Sequence, residues 1–254
     1  MSSVFTTVSR RPASDGVRWV KQGWHFFKTY PQMWMLLTLI QIGVLYLVER
    51  LPVVGVLCST LLMPVFMGGY MLGCADIEAG KPLELNHLIA GFRTHLRSLL
   101  AVGGIYLVSE IVIVWLLMIF DGELVKVIMT GQQPMIGAQS LIALLLTLGL
   151  FTLLVMASWF APALVTQHNL SAWTAMRISF QACLRNLMPL LVNGLVWLSI
   201  GIPLLVLLIV IYGNVPKSRF STALVSWGLL TVLIPLAITN IYASFVVIFQ
   251  RHKT

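Results

Sequence analysis

One carboxylate in the middle of a long apolar run is the side chain best placed to do chemistry. Glu110 has no charged neighbour nearby in the sequence. Counted along helices from the nearest basic residues, Gln41 and Asn240 fall at a similar depth, roughly 16 to 20 Å from the membrane edge at about 1.5 Å per residue. We therefore expect Glu110, Gln41 and Asn240 to form one polar layer near the middle of the membrane.

Two interpretations of this polar layer are open. An ionised carboxylate at the centre of a bilayer costs several kcal/mol, so Glu110 should be neutral or face a polar cavity. In the functional interpretation, Glu110 binds and releases a proton or contacts a polar substrate, while the two amides hold it. In the structural interpretation, the protonated carboxyl bonds to the amides and holds helices together, a contribution of about 0.6 to 2 kcal/mol.

A methionine stripe lies in a different apolar run. Met63, Met67 and Met71 recur at every fourth position. Cys74 follows three positions later, so a helix would place all four sulfurs on one face. Thioether and thiolate ligands select Cu(I), but methionine stripes more often supply adaptable packing. We expect packing and no bound cofactor, and a copper site on these four residues is the alternative.

The composition assigns these residues to helices in a membrane. Apolar residues make up 59% of the 254 residues and charged residues 9%, against about 25% charged in soluble domains. So few charges cannot cover a water-facing surface, which excludes a soluble globule. We predict an all-α integral membrane protein, with a polar N-terminal tail (1–16) before a single membrane domain (17–254). Six apolar runs are long enough to span a bilayer, at about 33–48, 53–74, 99–120, 140–165, 188–212 and 222–250.

The basic residues predict how the spans are oriented. Twelve of the sixteen Lys and Arg residues fall on the side of the membrane that carries both termini, and four fall on the other side. The positive-inside rule therefore places both termini in the cytoplasm. The net charge of +8 is divided into short clusters between apolar runs, so it indicates contact with anionic lipid and not with nucleic acid.

Three cytoplasmic segments, at about 17–30, 76–98 and 166–187, place apolar side chains at helical spacing among basic residues. A basic helix with an apolar, aromatic side is typical of the headgroup plane of a membrane. Ordinary helices docked on the ends of the bundle are the alternative. The side chains predicted to contact lipid headgroups are Lys28, Arg93, Arg97, Arg177 and Arg185.

The same segments indicate an internal repeat. Residues 92–100 align without gaps to residues 180–188, at an offset of 88 residues. In this alignment Lys28, Arg97 and Arg185 mark the entries to spans one, three and five. The repeated unit would be an interfacial amphipathic helix, a basic residue at the membrane edge and a two-span hairpin, used three times. Chance similarity is the alternative, because any interfacial helix that enters a membrane carries a basic residue there.

Five stretches within the first 105 residues carry a family resemblance: WVKQGWHFF at 19–27, PVVG at 52–55, PVFMGGYMLG at 64–73, GKP at 80–82 and LIAGF at 88–92. They resemble an uncharacterised family of bacterial multi-pass inner-membrane proteins. The unit of a basic helix followed by a membrane hairpin is also similar to the membrane domain attached to some glycerophosphodiester phosphodiesterases. The resemblance implies six helices and an inner-membrane location, and it brings no catalytic residues because the family's function is not established.

The function that follows from the sequence is a non-enzymatic one. No phosphate-binding loop, dinucleotide fingerprint, zinc-protease helix or serine elbow occurs in it. We expect a scaffold or accessory factor that acts through anionic membrane lipids, a membrane-protein partner or a second copy of itself. The alternative is a small transporter or permease that uses the polar layer around Glu110.

Overall fold

The computed structural model describes residues 8–122, 125, 130, 137–214 and 219–249. Over these residues the chain is helical and has no β-strand, and six helices are long and apolar enough to cross a membrane. The prediction of an all-α integral membrane protein with six spans is confirmed. In chain order, the helices are α1 (Asp15–Thr29), α2 (Pro31–Val48), α3 (Val54–Glu78), α4 (Asn86–Thr94), α5 (Leu96–Phe120), α6 (Ala138–Ser158), α7 (Ala161–His168), α8 (Ala172–Arg185), α9 (Leu187–Asn214) and α10 (Arg219–Phe249).

The six spans are α2, α3, α5, α6 together with α7, α9 and α10. We call the side of the bundle that carries residues 8–14 and Phe249 the terminal side, and the opposite side the far side. Toward the terminal side, α3 continues to Glu78 and not only to residue 74, and α5 begins at Leu96 and not at residue 99. The helices outrun the apolar runs because the headgroup region accepts polar side chains on an unbroken helix. Residues 1–7 of the predicted tail and residue 250 lie outside the described residues.

Each amphipathic helix on the terminal side is joined to the next spanning helix by a single residue. These joint residues are Tyr30, His95 and Asn186, with φ of −139°, −132° and −118° and ψ of 58°, 25° and 32°. The N–H of each joint residue donates to a carbonyl in the last turn of the helix that ends. Its own carbonyl accepts the first hydrogen bond of the helix that begins, so one residue satisfies both helix ends.

The joints define three units of similar design, α1–α3, α4–α7 and α8–α10. In each unit an amphipathic helix passes through its joint into a membrane hairpin, as the repeat hypothesis predicted. The register differs, because His95 and Asn186 stand 91 residues apart and the sequence alignment used an offset of 88. Arg97 therefore follows its joint, whereas Lys28 and Arg185 precede theirs. The three basic residues do not occupy equivalent positions.

The three units form a ring on the terminal side. Each amphipathic helix packs on the second half of the preceding hairpin: α4 on α3, α8 on α6 and α7, and α1 on α10. Two joints also bond to the segment that leads into the next amphipathic helix. His95 Nε2 lies 3.0 Å from Asn169 Oδ1, and Asn186 Nδ2 donates to Ser9 O over 3.0 Å. Because α1 of the first unit closes on α10 of the third, the ring is complete.

The fourth span is broken at the boundary between α6 and α7, where a serine from α8 enters the helix ladder. Ser179 Oγ donates to Met156 O at 2.8 Å and accepts from Phe160 N at 2.9 Å. Within an unbroken helix, Phe160 N–H would donate directly to Met156 O. Pro162, in the first turn of α7, removes a further backbone donor. The hydroxyl therefore fixes the break and attaches α8 to the bundle.

The hydrophobic core lies toward the terminal side. Its large, fully buried side chains come from α1, α2, α3, α10 and the α6–α7 break: Trp19, Trp34, Tyr70, Phe160, Phe245 and Tyr242. On the far side the described residues form one small cluster of Leu117, Val125 and Ala143. The two ends of the bundle therefore differ in how tightly they pack.

Candidate functional site

Gln41, in the middle of α2, is one of the predicted polar residues and lies inside the protein. Its side chain is 2% exposed. The Tyr70 hydroxyl donates to Gln41 Oε1 at 2.6 Å, and Gln41 Nε2 donates to Met63 Sδ at 3.4 Å. Both partners belong to α3, so this amide ties the first span to the second.

Asn240, on α10, lies where the amphipathic helix α1 crosses the last span. It is 3% exposed, and a Cβ added at Gly23 would lie 2.8 Å from Asn240 N and Cα. Asn240 Oδ1 and the Nε1 of Trp19, on α1, are both buried, and neither atom has a hydrogen-bond partner among the described residues. This part of the core therefore keeps unused hydrogen-bonding capacity.

Glu110 lies on α5 and is half-buried. Tyr106, one turn earlier on the same helix, is within electrostatic reach of its carboxylate. No hydrogen bond joins Glu110 to Gln41 or Asn240, whose contacts within the described residues are with α3 and α1. A shared polar layer of these three residues stays a prediction.

The methionine stripe of α3 does not present four equivalent sulfurs. Met63 is 43% exposed and accepts from Gln41, whereas Met71 and Cys74 are buried in the core and Met67 is half-buried. Within the described part of the chain, no group of three or more His, Cys, Asp or Glu residues could hold a metal ion. The copper alternative on Met63, Met67, Met71 and Cys74 is not tested by these observations.

The cations predicted to contact lipid lie together on the terminal side and are exposed. Lys28, Arg93 and Arg185 lie in the last turn of an amphipathic helix. Arg177 lies in the middle of one, and Arg97 lies just past a joint. The ion pairs found among the described residues involve other cations, namely Arg18 with Asp15, and Lys81 and His87 with Asp76. The exposed Arg10 and Lys21 on this side have no ion-pair partner in that part of the chain, and the same holds for the predicted lipid-contacting cations: Lys28, Arg93, Arg97, Arg177 and Arg185.

A polar cluster at the terminal end of α3 was not anticipated from the sequence. Asp76 lies 3.1 Å from both Lys81 Nζ and His87 Nε2, and His87 is 8% exposed. Two residues further along α3, Glu78 accepts from the Tyr242 hydroxyl of α10 at 2.6 Å. The signal in the sequence was an acidic helix end followed at short range by Lys81 and His87. The cluster holds α4 and α10 against α3.

Helix α8 is attached by a thiol as well as by its serine. Cys183 Sγ lies 3.5 Å from Met156 O, the same carbonyl that Ser179 uses. Burial raises the pKa of the Cys183 thiol to about 12, and the nearby Ser179 hydroxyl partly offsets that rise. The thiol is therefore neutral at physiological pH and packs α8 against the end of α6.

Comparison with known proteins places this architecture in a family. A probable inner membrane protein of Burkholderia thailandensis is 31% identical over 205 residues, which cover 75% of this chain and 74% of the relative. No protein-family model matches the chain, and no solved structure matches it. None of these comparisons links it to glycerophosphodiester phosphodiesterases, so that similarity stays a prediction. The chain belongs to the family of multi-pass bacterial inner-membrane proteins that this Burkholderia relative represents.

Proposed function

We propose that the protein is a non-enzymatic scaffold or accessory factor that binds anionic membrane lipids through its three amphipathic helices. The observation that carries this proposal is that the cations predicted to contact lipid on the terminal side are all exposed and have no ion-pair partner among the described residues: Lys28, Arg93, Arg97, Arg177 and Arg185. A basic side chain at an anionic membrane surface contributes about 1 kcal/mol to binding. Five such side chains on one side of the bundle suit a membrane leaflet rich in anionic lipid.

The exposed faces of the amphipathic helices support the same proposal. Each helix docks one face on the bundle and leaves the other outside. The outer face of α8 carries Trp173, 69% exposed, one turn before Arg177. On α1, the exposed Trp24 stacks on Phe27 at 5.7 Å and precedes Lys28 by one turn. Tryptophan beside a basic residue is the usual composition of the headgroup level.

Native mass spectrometry of the gently purified full chain tests this proposal. The wild type should retain phosphatidylglycerol more than phosphatidylcholine. Substitution of Glu for Arg93, Arg97, Arg177 and Arg185 should abolish that preference, because each lost cation lowers the affinity for the anionic lipid about fivefold. Arg50→Glu on the far side is the matched control and should retain the wild-type preference. Unchanged retention in the fourfold variant would contradict the proposal. The same spectra would show whether a second copy or another membrane protein remains bound.

The proposed orientation has its own test. If the terminal side faces the cytoplasm, a fusion after Thr130 should give a signal with a reporter that is active only outside the cytoplasm. A fusion at the C-terminus should give a signal with a reporter that is active only inside the cytoplasm. The excess of Lys and Arg on the terminal side supports this orientation. A cytoplasmic signal from the Thr130 fusion would contradict it.

A small transporter or permease is the second candidate, and Glu110 favours it. This carboxylate is half-buried within a spanning helix, and no ion pair found among the described residues includes it. Intramembrane carboxylates of this kind mark proton and substrate pathways. Flux in proteoliposomes that depends on pH and is lost in Glu110→Gln would support transport. A folded Glu110→Gln variant that complements a deletion strain in full would exclude the proton site.

A further inference from the structure

The ring of three units has three junctions between neighbouring hairpins, and two of them are closed. Between the first and second units, α3 packs on α5 so closely that a Cβ on Gly103 would lie 2.8 Å from Leu61 O. Between the third and first units, α10 packs on α2, and the rings of Tyr46 and Trp227 meet at 5.2 Å. Direct helix contact fills both junctions.

The third junction, between α6 of the second unit and α9 of the third, is open. Over the described residues α9 packs on α1 and adjoins α8, and it makes no comparable contact with α6 or α10. Only 6% of the residues in the apolar stretch of α9 are buried, and 11% of those in the fourth span, against 56% in the last span. Helix α9 therefore stands apart from α6, its neighbour across this junction, as it does from α10.

Helix α8 closes the terminal end of this opening. It is fixed to the end of α6 by Ser179, and α9 begins one residue after it at Leu187. The space between α6 and α9, which we call the lateral crevice, is thus a cleft with α8 as its floor. Both helices beside the crevice carry exposed leucines, among them Leu141, Leu145 and Leu148 on α6 and Leu191, Leu195 and Leu198 on α9.

The floor of the lateral crevice has the opposite chemistry. α8 carries two arginines, Arg177 and Arg185, and no acidic residue, and both arginines are exposed. Two cations therefore lie at the headgroup end of an apolar cleft.

We propose that the lateral crevice is a binding site for one anionic glycerophospholipid. The acyl chains lie between α6 and α9, and Arg177 and Arg185 contact the phosphate at the level of α8. This lipid takes the place of the direct helix contact that closes the other two junctions. The inference rests on the proposed function, since it names the site at which anionic lipid is held most specifically.

Photolabelling tests the site directly. The full chain is reconstituted in nanodiscs with phosphatidylglycerol that carries a diazirine in its acyl chain, and labelled peptides are mapped by mass spectrometry. We expect residues 138–158 and 187–210 to be labelled about fivefold more than the equally exposed outer faces of α2 and α5. Phosphatidylcholine with the same tail should label all exposed spans alike. Uniform labelling by phosphatidylglycerol would overturn the proposal, as would cross-links between α9 helices of two copies.

A matched pair of variants separates this proposal from the general one. Arg177→Gln with Arg185→Gln should remove the enrichment on α6 and α9, whereas Arg93→Gln with Arg97→Gln should leave it intact. If both pairs reduce phosphatidylglycerol retention equally and labelling stays uniform, lipid binding is general and the crevice is not a site. If neither pair changes retention, the proposed function fails with it.

Discussion

The terminal and far halves of this bundle hold their helices together in different ways. In the terminal half, backbone approaches backbone: a Cβ on Gly91 would lie 2.2 Å from Val65 O, and one on Gly69 would lie 2.2 Å from His87 O. In the far half, a Cβ added to Gly43 or Gly201 would have no neighbouring atom within 4 Å. The difference is one of close contact and not of apolar composition.

The physical reason is the solvent. Lipid tails are as apolar as leucine, so an apolar side chain gains little when it leaves lipid for another helix. Small residues and hydrogen bonds between helices therefore decide where a membrane bundle is tight. The terminal half has both, in its glycine crossings and in the bonds of Ser179 and Asn186. The far half exposes side chains such as Trp115 and Ile119 to the membrane.

The largest effect is expected at the crossing of α3 and α4. Gly91→Ala forces a methyl group into Val65 O, and because the obstacle is backbone, the helices must separate. We expect a loss of about 3 kcal/mol in the free energy of unfolding, measured by denaturant titration in mixed micelles. Gly43→Ala is the control and should change stability by less than about 1 kcal/mol, in the stabilising direction. Equal stability of the two variants would contradict the proposed difference between the halves.

A smaller loss is expected where Ser179 enters the fourth span. Ser179→Ala leaves Phe160 N–H without its partner and leaves Met156 O with only the weak Cys183 thiol donor, and a buried unpaired group costs about 1 to 3 kcal/mol. We expect a loss of about 2 kcal/mol and faster hydrogen exchange at Phe160. Ser199→Ala removes an exposed hydroxyl that bonds only within α9, to Val196 O, and should change little. A fourth span that stays protected in Ser179→Ala would show that the break has another cause.

Much of this fold could be predicted from hydropathy and charge. The apolar runs identified all six spans, and the helical spacing of the loops identified α1, α4 and α8. The joints could not be predicted in the same way. The sequence alignment used basic residues as markers of the membrane edge, but the joints depend on backbone hydrogen bonds, which Tyr30, His95 and Asn186 make without sharing a side-chain type.

The candidate site shows a similar division. Depth along a helix predicted a layer of Glu110, Gln41 and Asn240 near the middle of the membrane, and that layer stays a prediction. The structure adds that Gln41 and Asn240 are buried inside the protein. Their partners depend on how helices rotate against each other, so depth alone could not find the Tyr70 hydroxyl or the Gly23 backbone. The Asp76 cluster was missed because it depends on how α4 docks on α3, which buries His87 beside Asp76.

The two halves should also differ in thiol reactivity. Cys183 is buried in the terminal half, whereas Cys58, at the far end of α3, is partly exposed. With a membrane-permeant maleimide at pH 7, Cys58 should react at least about tenfold faster, since Cys183 must await a local opening. Comparable rates would show that α8 is loosely attached.

The raised pKa of Cys183 adds a dependence on pH. In the native state the pKa is about 12, so the folded protein keeps this proton at a pH where the unfolded chain has lost it. The contribution of the neutral thiol to stability is therefore complete at neutral pH and is lost as the pH rises from about 9 to about 12. Cys183→Ala should flatten that alkaline part of the stability profile, and Cys58→Ala should not. An unchanged profile in Cys183→Ala would contradict the burial of its thiol.

The smallest expected difference compares one arginine from each half. Arg11 donates to Val247 O at the end of α10, so it links the two ends of the chain and meets the negative end of a helix dipole. Among the described residues, Arg50 contacts the hydroxyl and ring of Tyr46, one turn earlier in the chain. We expect Arg11→Gln to lower the free energy of unfolding by about 1 to 2 kcal/mol, and Arg50→Gln by less than about 1 kcal/mol.

Limited proteolysis adds a local readout, because loss of the Arg11 bond should release residues 8–14 for cleavage while Arg50→Gln leaves them protected. If both variants leave that segment equally protected, the closure of the ring does not depend on Arg11 and rests on the Asn186 bonds and on the packing of α1 and α2 against α10.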